Sequence, residues 1–274
     1  MRMINSRWFA GGLLTKVNLM VSVTSLTTNL KQGLIQMGGL NPLRTSPSQS
    51  LLSRLIRRSI ASHLILAALL FLPAGSLQYW PGWGYLAVGL VSTIHYSLYF
   101  YQHDRQLLER RLLKKETVSE QKCIMTVWKV FAYLFLMLAG ADYRFGWSCR
   151  LLGPVPWWLT VPALLLVLGG YTWVFQVFKA NRFAASVIQV ESSQAVIDTG
   201  SYRFVRHPLY AGSLCSWLCT PLALGSFVLI PVSFFILPIL ACRLLNEEKV
   251  LRRDLPGYVE YCQRTRYRLI PFVW

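Results

Sequence analysis

The segment GSYRFVRHPLYAG, residues 200–212, places groups that could do chemistry directly before a long apolar run. His207 and Tyr210 can donate or accept hydrogen bonds, and Arg206 can bind an anion. Pro208 suits the first turn of a helix, because its missing N–H has no helical partner there. The sequence therefore predicts a turn followed by a helix that begins at the membrane interface with His207 and Tyr210.

A second group of chemically capable residues follows the apolar run, in the segment ACRLLNEEKVLRRDL. Arg243 and Glu247 are four residues apart, as are Glu248 and Arg252, so each pair shares one face of a helix. Two successive carboxylates directly after a span are notable, because charge is costly next to the membrane interior. If the run folds as a hairpin, its end returns to the level of its start. The residues then brought together are Arg206, His207, Tyr210, Arg243, Glu247 and Glu248.

The elements that must position these groups are membrane helices. The chain is 54% hydrophobic and only 14% charged, with a mean hydropathy of +0.41, whereas soluble domains are about one quarter charged. A span needs about 20 apolar residues. The windows that qualify are Ile60–Leu77, Trp83–Tyr101, Ile124–Ala141, Trp157–Phe178 and the run Leu209–Cys242, which we interpret as a hairpin that turns at Pro221, Gly225 and Ser226. We expect an all-α, polytopic membrane bundle of about six transmembrane helices.

Basic residues cluster at alternate span ends, after the second, fourth and sixth predicted spans and before the first. Because Lys and Arg favour the cytoplasmic side, both termini and both chemical groups are expected in the cytoplasm. The formal net charge of +17 follows this distribution, so anionic membrane lipid is the expected partner rather than nucleic acid. No obligate protein partner is inferred.

Residues 1–50 differ from the rest of the chain. They contain no acidic residue and no stretch apolar enough to span a membrane, so we expect a disordered or interfacial extension. The remaining residues, 51–274, would form the membrane domain. Metal chemistry is not indicated, because the six cysteines form no C-x-x-C pair and the histidines no H-E-x-x-H group.

The pattern GxYRxVRHPxYxG, followed by RxxxEExxL and GYxEYxxRxRxRLIP, resembles the integral-membrane methyltransferases. This family includes isoprenylcysteine carboxyl methyltransferase and the phospholipid N-methyltransferases. The strong match covers residues 181–271, about a third of the chain. Segments YWPGWGYL, DxxLLERR and ADYRFGWS further resemble bacterial members of the prenylcysteine branch.

The resemblance implies S-adenosylmethionine as methyl donor. It assigns donor contacts to Gln189, Gln194, Ala195, Val196, Ile197, Tyr202, His207, Pro208, Leu209, Tyr210 and Glu247. Arg243 matches the position that pairs with the substrate carboxylate in the carboxyl-methylating enzymes. Glu247 suits the ammonium of the donor, and His207 or backbone N–H groups at the helix start suit its carboxylate.

The sequence leaves the chemical identity of the methyl acceptor open. A carboxylate needs no activation, so Arg243 would only position it, whereas an amine acceptor needs a base, for which His207 or Glu248 is a candidate. Membrane sterol reductases, which bind NADPH, show a related C-terminal pattern. The arginines that could bind the phosphates of NADPH are Arg203, Arg206, Arg252 and Arg253. A non-enzymatic lipid-binding protein is the third alternative.

Overall fold

The apolar runs form long helices in the computed structural model, which describes residues 47–113, 119–181 and 195–274. Within these ranges every regular element is helical, so the predicted all-α class is confirmed. In chain order the helices are α1 (Pro47–Ala74), α2 (Trp80–His103), α3 (Arg105–Leu113), α4 (Ser119–Phe145), α5 (Trp147–Leu152), α6 (Trp157–Ala180), the 3-10 turn η1 (Gly200–Arg203), α7 (Pro208–Ala223), α8 (Leu229–Ser233), α9 (Ile236–Asp254) and α10 (Tyr258–Arg264). The proposed extension over residues 1–50 lies almost entirely outside the described ranges.

Four helical segments of the described chain are long and apolar enough to cross a membrane: Leu51–Ala74, Gln121–Phe145, Trp157–Ala180 and Leu229–Asp254. The count of six spans is therefore not confirmed, because neither α2, which covers the second expected span, nor α7, which covers the fifth, is among them. Helix α7, which was expected as the fifth span, has only 16 residues, fewer than the roughly 20 that a crossing requires. The predicted hairpin nevertheless forms, although Pro221 lies inside the last turn of α7 and the turn proper begins beyond Ala223.

Helices α6 and α7 share the most extensive interface among residues 51–274, and two glycines make it possible. A Cβ atom on Gly170 would lie 2.7 Å from the carbonyl oxygen of Gly212, and one on Gly212 would lie 2.6 Å from the ring of Trp173. The indole N–H of Trp173 also donates to the carbonyl of Pro208 at 2.9 Å. This close packing fixes the start of α7 against the end of α6.

A buried polar cluster joins the hairpin turn to α4 and α5. The carboxylate of Asp142 accepts a hydrogen bond from the backbone N–H of Ser148 at 2.7 Å and one from the hydroxyl of Ser226 at 2.5 Å. Nearby, the hydroxyl of Tyr79 donates to the carbonyl of Leu224 at 2.6 Å. These bonds satisfy a carboxylate that is only 3% exposed and tie the turn to the bundle.

The segment after α9 folds back over residues 200–212. The backbone N–H of Arg206 donates to the carbonyl of Tyr267, and that of His207 donates to Arg268, each at 2.9 Å. The hydroxyl of Tyr261 donates to the carbonyl of Tyr202 at 2.7 Å. The C-terminal segment thereby fixes the backbone of the residues that precede α7.

Candidate functional site

The turn before α7 has the geometry that its sequence predicts. Gly200 adopts a left-handed conformation at φ +61°, which other residues rarely adopt, and it opens the turn η1. His207 occupies the N-cap position of α7 and Pro208 the first helical turn. His207 and Tyr210 are therefore held at the start of a rigid helix.

The hydroxyl of Tyr210 connects two charged groups of α9. It donates a 2.6 Å hydrogen bond to Oε2 of Glu247 and accepts one of 2.9 Å from Nε of Arg243. The guanidinium of Arg243 also donates to the side-chain oxygen of Gln121 on α4 at 3.3 Å. A carboxylate, a phenol and a guanidinium thus form one chain across the hairpin.

Glu248, one residue further along α9, has different partners. Its Oε1 lies 3.0 Å from Nε of Arg206 and 3.4 Å from Nε2 of His207. Its Oε2 accepts a hydrogen bond from Nε of Arg268 at 3.1 Å and lies 3.6 Å from Nη2 of Arg252. Glu248, Arg206 and His207 are almost completely buried, so this ion cluster lies where water screens it little.

The contacts at Oε1 are close in distance but lack the angles of hydrogen bonds. Nε of Arg206, Nε2 of His207 and Oε1 of Glu248 therefore count as buried polar atoms without a hydrogen-bond partner in the described part of the chain. The hydroxyl of Tyr258, close enough to Glu248 to interact electrostatically, is a fourth. Such atoms usually find a partner in a folded protein. Here three of the four face one another at 3.0–3.4 Å, so they form an ion cluster rather than vacant ligand contacts.

Tyr202 connects the turn η1 to the end of α6. Its hydroxyl accepts a 2.9 Å hydrogen bond from the side chain of Asn181. Burial raises the pKa of Tyr202 to about 12, and the bond from Asn181 opposes part of that shift. Burial likewise raises the pKa values of Tyr258 and Tyr261, so these tyrosines stay uncharged further into the alkaline range.

An apolar cavity of about 480 Å³ opens beside Tyr210 and Arg243. Its walls include the side chains of Trp128, Trp217 and Leu240, and its polar lining combines arginine with hydroxyl groups. A cavity of this size accommodates a small or single-chain ligand. A separate groove of about 690 Å³ is lined by residues of α4, α9 and the C-terminal segment, among them Glu248 and Arg268.

The predicted site residues fall into three groups. Those that the structure brings together across the hairpin are Tyr202, His207, Pro208, Leu209, Tyr210, Arg243, Glu247 and Glu248. Ala195, Val196 and Ile197 precede the turn, where Ala195 is exposed and Val196 packs near Leu255 and Tyr258. Gln189 and Gln194 lie outside the described residues. The functional roles of all these residues remain predictions.

Sequence reasoning missed two polar contributors to the site. Gln121 reaches Arg243 from α4, and Arg268 reaches Glu248 from the C-terminal segment. For Arg268 a signal existed in the RxRxRLIP motif, which contributes to the family resemblance but does not by itself indicate a contact with Glu248. For Gln121 no local pattern pointed to the site, because its contact spans more than one hundred residues.

The fold and the site together define an integral-membrane helical protein with a polar site at the end of a hairpin. Residues 158–255, which run from the start of α6 through α9, match the family model described as Phospholipid methyltransferase. This match confirms the predicted resemblance to the membrane methyltransferases over that segment, which is about a third of the chain.

The chain is also similar to Delta(14)-sterol reductase TM7SF2 of Mus musculus, with 30% identity over 105 residues. The aligned region is 35% of this chain and 25% of the reductase, so the chain spans about a quarter of that relative's length.

Proposed function

We propose that the protein transfers a methyl group from S-adenosylmethionine to a lipophilic acceptor at the membrane, with a carboxylate such as that of an isoprenylcysteine as the favoured acceptor. The observation that carries the proposal is the hydrogen-bonded chain through Tyr210, with Glu247 on one side and Arg243 on the other. It sets a carboxylate suited to the donor ammonium beside a guanidinium suited to the acceptor carboxylate. The arginine end of this chain lines the apolar cavity.

The described residues fit the donor. Oε2 of Glu247 is engaged by Tyr210, while its Oε1 receives no hydrogen bond in the described part of the chain and could accept one from an ammonium. Nε2 of His207 already lies 3.4 Å from Oε1 of Glu248. In the first turn of α7 Pro208 has no N–H, and the N–H groups of Tyr210 and Ala211 donate to the carbonyl of His207. The N–H of Leu209 is therefore the group that could bind the donor's carboxylate. Bound S-adenosylmethionine would supply an electrophilic methyl group and a neutral sulfide as leaving group.

The protein's part in the reaction would be mainly positional. The acceptor carboxylate oxygen forms a bond to the methyl carbon while the carbon–sulfur bond breaks, so the products are a methyl ester and S-adenosylhomocysteine, and no proton is released. Arg243 would hold the acceptor carboxylate in line, and the apolar walls would exclude water. Such orientation lowers a barrier by several kcal/mol.

The surroundings of Glu248 favour a carboxylate over an amine as acceptor. An amine would need a base to remove its proton, and the candidates were His207 and Glu248. Glu248 is held by Arg206 and Arg268, which stabilise its charged form and make it a weak base. His207 lies 3.4 Å from the same carboxylate, which is compatible with a base, so it is Glu248 alone that disfavours an amine.

The similarity to the sterol reductase supports a second candidate, NADPH-dependent reduction. The extra phosphate of NADPH needs available cations, but three of the four arginines expected to serve it have carboxylate partners. Arg206 and Arg252 approach Glu248, and Arg253 lies 2.6 Å from Asp254. This pairing favours the methyltransferase.

We place the site and both termini on the cytoplasmic side, because the basic residues surround them.

The test is titration of S-adenosylhomocysteine, with NADPH in parallel, into the full-length protein in detergent. Glu247→Gln removes the charge while keeping the shape, and Glu260→Gln, at an exposed position of α10, is the matched control. Loss of a charge-assisted hydrogen bond is worth about 1.5–3 kcal/mol, so Glu247→Gln should weaken binding roughly 10- to 150-fold. Saturable binding of NADPH alone to well-folded protein would promote the reductase and exclude the methyltransferase.

A further inference from the structure

Arg111, in the short helix α3, lies where two cavities meet. It lines the cavity of about 480 Å³ beside Arg243. It also lines a second cavity of about 720 Å³, formed by α1, α2 and α6. In the sequence Arg111 belongs only to a basic loop after the second predicted span, and nothing there distinguishes it from its neighbour Arg110.

The guanidinium of Arg111 is packed against rings and incompletely hydrogen-bonded. Its central carbon lies 4.0 Å from the ring centroid of Phe178 and 5.8 Å from that of Tyr96. Its Nη1 is buried and interacts electrostatically with the buried hydroxyl of Tyr96, but neither atom makes a well-angled hydrogen bond among the described residues. A buried charged donor without an acceptor is costly, so a ligand that supplies an acceptor would be bound favourably.

The described lining of both cavities contains no carboxylate, although Asp104 lies close enough to Tyr96 to act on it electrostatically. The smaller cavity has two arginines in its wall, Arg111 and Arg243, among mostly aromatic and aliphatic side chains. Arg243 is already engaged by Tyr210 and Gln121. A cationic head group would be repelled by this lining, and an anionic one would be attracted.

We propose that Arg111 is a second anion anchor, which acts with Arg243 to hold the acidic head group of the lipophilic acceptor in the smaller cavity. This inference rests on the proposed function and deepens it, because it assigns a second residue to the acceptor's acidic head group, a carboxylate or a phosphate. A planar guanidinium with two donors on one side suits either group. The apolar walls would receive the chain of the amphiphile.

The experiment measures ligand binding to the full-length protein in an uncharged detergent, with S-adenosylhomocysteine present. The probes are N-acetyl-S-farnesylcysteine, its uncharged methyl ester and dodecyl phosphate. The variants are Arg111→Gln, Arg111→Lys and the control Arg105→Gln, which removes the same charge from an exposed position of α3 that lines neither cavity. Dodecyl phosphate tests whether a phosphate head group is accepted as well as a carboxylate.

Arg111→Gln should weaken binding of the farnesylcysteine acid about tenfold or more while the ester changes less than about twofold. Arg111→Lys should recover part of the loss, and Arg105→Gln should leave all probes unchanged. Equal losses for acid and ester, or no loss for the acid, would overturn the proposal, as would wild-type protein that binds the ester as tightly as the acid. Affinity for S-adenosylhomocysteine, measured alone on the same samples, tests the donor site separately and should not depend on Arg111.

Discussion

Removing the carboxylate of Glu248 should destabilise the protein more than any other single charge deletion in the site. Glu248→Ala leaves Arg206 and His207 buried without their negative partner, whereas in the native protein they lie 3.0 and 3.4 Å from it. Deleting one member of a buried ion pair typically costs 3–5 kcal/mol, because an uncompensated charge stays in the interior.

The expected destabilisation by Glu248→Ala can be narrowed from the exposure of each charged partner of Glu248. The side chains of Arg252 and Arg268 are 43% and 30% exposed, so water can solvate them after the substitution and they add little. The cost comes chiefly from Arg206, whose side chain is 6% exposed. We therefore expect the lower end of the range, about 3 kcal/mol. For a unit of this size each kcal/mol shifts the unfolding midpoint by about 2–4 °C, which gives roughly 6–12 °C.

The assay is thermal unfolding of detergent-purified protein, followed by tryptophan fluorescence. The set comprises Glu248→Ala, Arg206→Met, the double variant and the exposed control Glu260→Ala. Because removing both charges leaves nothing unpaired between them, the double variant should be more stable than the sum of the single effects predicts. A midpoint for Glu248→Ala within about 2 °C of wild type, or strictly additive effects, would refute a buried ion cluster at this position.

Three further predictions concern other parts of the fold, and each is measured by the thermal midpoint. Gly170→Ala should cost about 1–3 kcal/mol because its Cβ would overlap the hydroxyl of Ser216 and lie 2.7 Å from the carbonyl oxygen of Gly212. Gly169→Ala, with no neighbouring atom within 4 Å, should gain about 0.5–1 kcal/mol. A reversed order of the two effects would contradict the close approach of α6 and α7. Asp142→Asn should cost about 1–3 kcal/mol. It should leave the affinity for S-adenosylhomocysteine unchanged, because Asp142 lies at the hairpin turn and the proposed donor site lies at the opposite end of the hairpin. A lower affinity would contradict this separation of the turn from the donor site. Tyr202 is neutral in the folded state and its pKa is raised to about 12, so stability is retained below pH 10 and falls as pH rises from 10 towards 12; Tyr202→Phe should lower this alkaline loss, and an unchanged loss would contradict its burial.

Several features of the site could be predicted from the sequence because they depend on local rules. A proline after a histidine marks the first turn of α7, and a spacing of four places Arg243 and Glu247 on one helix face. The hairpin then brings that face to the level of Tyr210. The all-helical class followed from composition, since only helices satisfy the backbone of apolar runs of this length in lipid.

Other features could not be predicted, because they depend on contacts between distant segments. Successive residues on a helix point about 100° apart, so Glu247 and Glu248 had to have different partners, but the sequence did not say which. In the structure Glu247 accepts a hydrogen bond from Tyr210, whereas Glu248 contacts Arg206 and His207. The number of spans could not be predicted either, because hydropathy does not give the length of each helix, and α7 has only 16 residues.

By itself the sequence determined a membrane-embedded helical protein whose polar groups gather at the two ends of a C-terminal hairpin. This much follows from hydropathy, from the cost of charge in lipid and from helical periodicity, which act within one segment. Only the tertiary structure decided that the C-terminal segment covers the turn before α7, that Gln121 supports Arg243, and that Arg111 lies in the wall of the same cavity. Those contacts arise from the packing of helices far apart in the chain, and packing depends on the shapes of all the partners together.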